Sequence, residues 1–180
     1  AGRAQMANLF IEAKSEKEEA NPGEQVTVTY RLFTRLNLSI EDIEYPKSVG
    51  FWNEDLRVGL AQTPRFRDIQ IQGVEYKVAT LYKAAMFPTQ IGKLTVNSMT
   101  VICNVEKPSR RRPGGVFDDP FFNSMFRETQ RQFVQSDSLD IEVMPYSITP
   151  PADFTGAVGS FEIESWVDTS IVKVLSLIHI

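Results

Sequence analysis

Side chains suited to chemistry are few in this chain. Its 180 residues include one cysteine, Cys103, and one histidine, His179. A single thiol rules out an intrachain disulfide and a paired-cysteine zinc site. No G-x-S-x-G, H-E-x-x-H, P-loop or G-x-G-x-x-G pattern occurs. Carboxylates remain as general acids and bases. The adjacent pairs Glu18-Glu19 and Asp118-Asp119 lie in polar stretches, where solvated surface charge is the ordinary state. The residue inventory speaks against an enzyme, and no catalytic residue, metal site or cofactor is expected. Cys103 sits in an apolar alternation with Val101 and Val105 and reads as a buried, inert thiol.

Composition sets the frame for whatever positions these residues. The chain is 42% hydrophobic and 23% charged, with net charge −4. That is globular composition, long enough to bury a core without staples. The mild acidity argues against nucleic acid as a partner. No apolar run approaches the ~20 residues of a membrane helix, and no apolar leader follows Ala1-Gly2-Arg3. Residues 175–180, Leu-Ser-Leu-Ile-His-Ile, resemble a translated sequencing adapter, so they and His179 are set aside as an artefact. On this view the chain is an internal fragment of a longer protein.

Strand periodicity dominates. Val26, Val28, Tyr30 and Leu32 alternate with Thr27, Thr29 and Arg31, the period of a half-buried strand. Asn21-Pro22-Gly23-Glu24 precedes it as a turn, with proline fixing φ and glycine permitting φ above zero. Leu9, Ile11 and Ala13 make a strand before that turn. Glu75–Phe87 makes another, ended by Pro88, with a bulge expected where the alternation breaks near Thr80. Leu94 and Val96 lead to Met99, Val101, Cys103 and Val105 through a face switch near Ser98, read as a second bulge. Leu139, Ile141 and Val143 form a later strand, and Ser160–Val167 a further one. Short strands between turns predict an all-β, Ig-like β-sandwich over residues 5–146, without the antibody disulfide. Asn37-Leu38-Ser39 fits the glycosylation pattern, a frequent chance match.

Residues 107–136 show no strand pattern and read as a long insertion loop. The loop opens with Arg110-Arg111-Arg112, between prolines, read as a solvated linker. Asp119 suits a helix cap and Pro120 the first helical position. Phe122, Met125, Phe126, Thr129 and Phe133 then fall at helical spacing, which predicts a short amphipathic helix from about Pro120 to Phe133. Its phenylalanines either pack on the sandwich or dock on another protein. Pro120, Phe121, Phe122, Met125 and Phe126 are therefore the candidate partner-docking residues. Residues 147–153 read as a proline-rich linker. Residues 154–174 read as the truncated start of a second Ig-like β-domain.

Several segments together resemble the BatD family of oxygen-tolerance (aerotolerance) proteins. They are Asn21-Pro22-Gly23-Glu24-Gln25-Val26 with Tyr30-Arg31-Leu32, then Gly50-Phe51-Trp52, Ala85-Met86-Phe87-Pro88-Thr89, Asp119-Pro120-Phe121-Phe122, and Asp153-Phe154-Thr155-Gly156-Ala157-Val158-Gly159-Ser160-Phe161. Their order and spacing match across about residues 8–174. The resemblance implies a bacterial envelope protein with Ig-like domains on the periplasmic side of the inner membrane. It also implies a C-terminal membrane anchor, which this sequence does not include. The implied partners are proteins, other Bat-type envelope proteins among them, in a setting shared with von Willebrand A-type and TPR proteins and a MoxR-type ATPase. The implied role is in oxygen tolerance or envelope stress through protein contacts, and the family offers no catalytic residues to carry over. The expected function is a non-catalytic protein-interaction module. The alternative is an adhesin or carbohydrate-binding sandwich, with Trp52 as an aromatic platform beside Asn53, Glu54 and Asp55.

Overall fold

Alternation of β-branched and aromatic residues builds the centre of the molecule. In a computed structural model that describes residues 7–56, 64–106, 129–149, 151–156, 158–159 and 162–167, every regular element is a strand. The first three are β1 (Leu9–Ser15), β2 (Glu19–Ala20) and β3 (Val26–Thr34). Then come β4 (Leu38–Glu44), β5 (Phe51–Asp55), β6 (Arg67–Ile71) and β7 (Val74–Pro88). The last four are β8 (Gly92–Val96), β9 (Thr100–Glu106), β10 (Thr129–Gln135) and β11 (Leu139–Val143).

The larger sheet has the order β1-β3-β7-β5, with β6 also on β7. β7 is long enough to carry two partners on one edge: β6 along Val74–Val78 and β5 along Ala84–Pro88. Gln72 and Gly73, both at positive φ (50° and 80°), make the two-residue turn joining β6 to β7. Two such residues give the primed turn whose twist matches a hairpin. Where alternation breaks near Thr80, the register with β3 shifts between Tyr30 and Arg31, so Leu81 is the extra, bulged residue.

The two smaller sheets have the orders β10-β9-β4 and β2-β11-β8. They share one hairpin. Gln135 opposes Thr100 and Leu139 opposes Val96, so one register runs through both. Each strand is interrupted over the same three residues, 97–99 facing 136–138. The face switch near Ser98 is therefore a matched break in both strands and not a bulge in one. Ser136 is buried there, and its hydroxyl accepts from the Met99 N–H at 3.0 Å.

One apolar core joins the layers. Ile11, Val28, Tyr30, Leu32 and Leu81 of the larger sheet cluster with Val96, Met99, Val101, Cys103 and Ile141 of the smaller ones. No sheet closes on itself, and the architecture is all-β and sandwich-like. Burial pushes the Cys103 thiol pKa up, consistent with an inert core residue.

Two expectations need correction. Thr129–Phe133, the end of the expected helix and part of the expected strandless loop, lies in β10, paired along its length with β9. Thr129 and Phe133 are four apart, which places them on one face of a helix but equally on one face of a strand. Residues 162–167, expected within a strand, form none. Ile163 and Trp166 there are 90% and 84% exposed, with no neighbouring strand among the described residues to supply hydrogen bonds. The remainder of the expected helix lies outside the described residues.

Candidate functional site

The even residues of β3 fill the core, so Thr27, Thr29, Arg31 and Phe33 project from the opposite face of the larger sheet. The same parity turns Phe10, Glu12 and Lys14 of β1 outward. On β7 the Leu81 bulge keeps Thr80 and Lys83 on this outer face although they are three residues apart. Cross-strand rows result. Phe10, Phe33 and Val78 form one, continued by Arg67 of β6. Glu12, Arg31 and Thr80 form the next. Lys14, Thr29 and Lys83 form the third.

From these rows Lys14, Thr29, Lys83, Arg31, Thr80 and Arg67 line an open groove of about 490 Å³. Four cations, Lys14, Arg31, Arg67 and Lys83, line it against one lining carboxylate, Glu16. Arg31 is already engaged: its guanidinium donates twice to Glu12 Oε2. Lys14, Arg67 and Lys83 pair with no described carboxylate. A net positive groove thus sits in a chain of net charge −4.

The opposite layer is balanced differently. Arg131 grips Glu41 through two hydrogen bonds of 2.7 and 3.0 Å, and this contact holds the Glu41 carboxyl below its usual range. Lys93 meets Asp140 at 2.8 Å, which lowers the Asp140 pKa and raises that of Lys93. Arg131 and Lys93 thus have carboxylate partners, whereas among the described residues Lys14, Arg67 and Lys83 have none.

Aromatic clusters bracket the groove. Phe10 stacks on Phe33 at 4.8 Å between centroids, and Tyr76 meets Phe10 edge-on at 5.8 Å. Phe33, Tyr76 and Val78 are buried in this outer cluster, with Ile69 and Ile71 against it. At the other end Trp52 packs on Phe87 at 5.1 Å, facing it across β5 and β7. Trp52 remains 56% exposed, beside exposed Asn53 and Glu54. Beyond it, Gly50 O accepts from the Thr89 N–H, and the Gly23 N–H donates to Pro88 O. The turn at Asn21–Glu24 also receives the later chain: Tyr146 Oη donates to Pro22 O at 2.7 Å, and Glu24 bridges Val158.

The docking residues expected from sequence, Pro120, Phe121, Phe122, Met125 and Phe126, lie outside the described residues. The groove was not expected. Its signal was present as the outward half of the alternations in β1, β3 and β7, but Lys14 and Lys83 are distant in sequence and only register joins them. Among the described residues, no group of three or more His, Cys, Asp or Glu could hold a metal ion, and no helix is long and apolar enough to cross a membrane. Comparison with family models, curated proteins and solved structures finds no match to this chain.

Proposed function

We propose that this chain is a non-catalytic protein-interaction module with an Ig-like sandwich. On this proposal it belongs to a membrane-anchored bacterial envelope protein resembling BatD, faces the periplasm, and serves oxygen tolerance or envelope stress by binding other envelope proteins. On the same proposal residues 154–174 are the truncated start of a second Ig-like domain. The Ig-like assignment draws on the antiparallel β1-β3-β7-β5 sheet and on β2 pairing parallel with β11. The resemblance rests on the order and spacing of the sequence segments; of these, 21–26, 50–52, 85–89 and residues 156 and 158 lie near one another at one end of the larger sheet.

One observation carries the binding function. Cations from four strands line a single groove, and three of them pair with no described carboxylate. Clustered like charge raises the energy of the compact state, and an anionic partner relieves it. The test is a photo-crosslinking residue placed at Thr29, with Thr95 on the other layer as control, in envelope extract. A defined protein adduct from position 29 and none from 95 is expected. No adduct from 29, or equal adducts from both, overturns the assignment.

A second function is favoured by the exposed Trp52, which with Phe87 offers an aromatic surface for a sugar ring. Glycan-array binding that disappears in Trp52→Ala would establish it; an array without signal removes it.

A further inference from the structure

We infer that the groove on the larger sheet recognises an extended acidic segment of a partner protein, with carboxylates at alternate positions. This rests on the protein-interaction reading above and names its ligand chemistry. The cations stand in three successive rows: Arg67 in the Phe33 row, Arg31 in the next, Lys14 and Lys83 in the Thr29 row. Rows two residues apart along a strand lie about 7 Å from one another. The cationic track is therefore about 13 Å long, longer than one phosphate or sulfate can span. An extended chain repeats its side chains on one face at the same interval, so alternate carboxylates fall in step with the rows. Thr29 and Thr80 between the cations, and Thr27 in the row beyond the lysines, add hydroxyl donors for carboxylate oxygens.

Two lysines flank Thr29 in one row, one on each neighbouring strand. That row seats one carboxylate between two ammonium groups. Arg31 differs, because Glu12 already occupies its guanidinium. A ligand carboxylate there displaces Glu12, so Glu12 acts as an internal competitor. Removing its charge strengthens binding, an effect that a purely structural role for Glu12 does not produce.

The experiment uses the full chain and a fluorescein-labelled octapeptide alternating glutamate with threonine, followed by anisotropy at about 50 mM salt, where surface charge is weakly screened. A peptide of the same composition with its glutamates contiguous is the control. We expect the alternating peptide to bind more tightly than the contiguous one. Lys14→Ala with Lys83→Ala weakens it about tenfold, as two charge-assisted contacts are lost. Glu12→Gln strengthens it about threefold by freeing Arg31. Lys93→Ala, on the other layer, leaves it unchanged. Equal binding of the two peptides, equal loss with Lys93→Ala, or full displacement by millimolar inorganic phosphate overturns the inference. A protein adduct from Thr29 that the alternating peptide does not compete away overturns this ligand assignment alone. Absence of any adduct overturns the interaction reading as well.

Discussion

Ser136 and Met99 close the gap where both strands of the hairpin break. The Ser136 N–H donates to Met99 O at 2.9 Å, and the Met99 N–H donates to Ser136 Oγ at 3.0 Å. The hydroxyl then donates to Asp137 O, so the Ser136 hydroxyl both accepts and donates at the break. Ser136→Ala leaves the Met99 N–H without an acceptor in a buried site. The expected loss is about 1–3 kcal/mol, the cost of an unmade buried hydrogen bond, read as a lower urea midpoint at unchanged slope.

Phe33 is only 3% exposed although it lies on the outer face of its sheet. It is stacked by Phe10, and the Arg31 guanidinium sits 5.5 Å from its ring centroid. Phe33→Ala is therefore expected to cost as much as a core truncation, about 3–5 kcal/mol. Urea unfolding beside Leu32→Ala, which faces the inner core, checks this. A Phe33→Ala loss under about 1 kcal/mol would place that ring outside any packed core.

Glu24 gives an acid-side prediction. Its carboxylate accepts from Lys17 Nζ and from the Asn21 N–H at 2.9 Å. These contacts, the lysine bond first, lower its pKa from the ordinary 4.5. A carboxyl with a lowered folded pKa stabilises the native state above its unfolded pKa, and the contribution fades as pH falls through the folded value. Wild type should exceed Glu24→Gln by about 1 kcal/mol at neutral pH. The two thermal midpoints should converge in acid, in a titration by circular dichroism.

Gly23 combines two constraints. Its φ is +75°, and a Cβ there would lie 3.0 Å from Gly156 O. The Glu24 N–H closes the turn onto Asn21 O, with Pro22 and Gly23 at its centre, the arrangement of a type II turn. Gly23→Ala is expected to destabilise by about 1–2 kcal/mol from the left-handed backbone alone. It should also push Gly156 away, which amide hydrogen exchange at Phe154 and Val158 would report as faster exchange.

Much of the architecture was legible where one face of a strand is buried and the other wet. β1, β3, β7, β9 and β11 each set core residues such as Ile11, Leu32, Leu81, Cys103 and Ile141 against polar neighbours. The turn at Asn21–Glu24 and the bulge by Thr80 followed from Gly23 and from broken alternation. β10 escaped because its inward side offers only Gln132 and Val134, both half-buried, so hydrogen bonding to β9 decides its state and composition does not. β6 escaped for a related reason: Ile69 and Ile71 pack on an outer cluster that exists only once Phe10, Phe33 and Tyr76 have met. The groove escaped because no single segment contains it.

The matched interruption of the hairpin has a consequence for its length. Both strands exchange their inward and outward sides across the same three positions, so Leu94 and Val101 each face inward, as do Val134 and Ile141. Adding or removing one residue in a single strand at this point would invert every side chain beyond it relative to its partner. The same change made in both strands together keeps them in step. Substitution can thus act on either strand separately, whereas insertion and deletion at 97–99 and 136–138 are coupled edits.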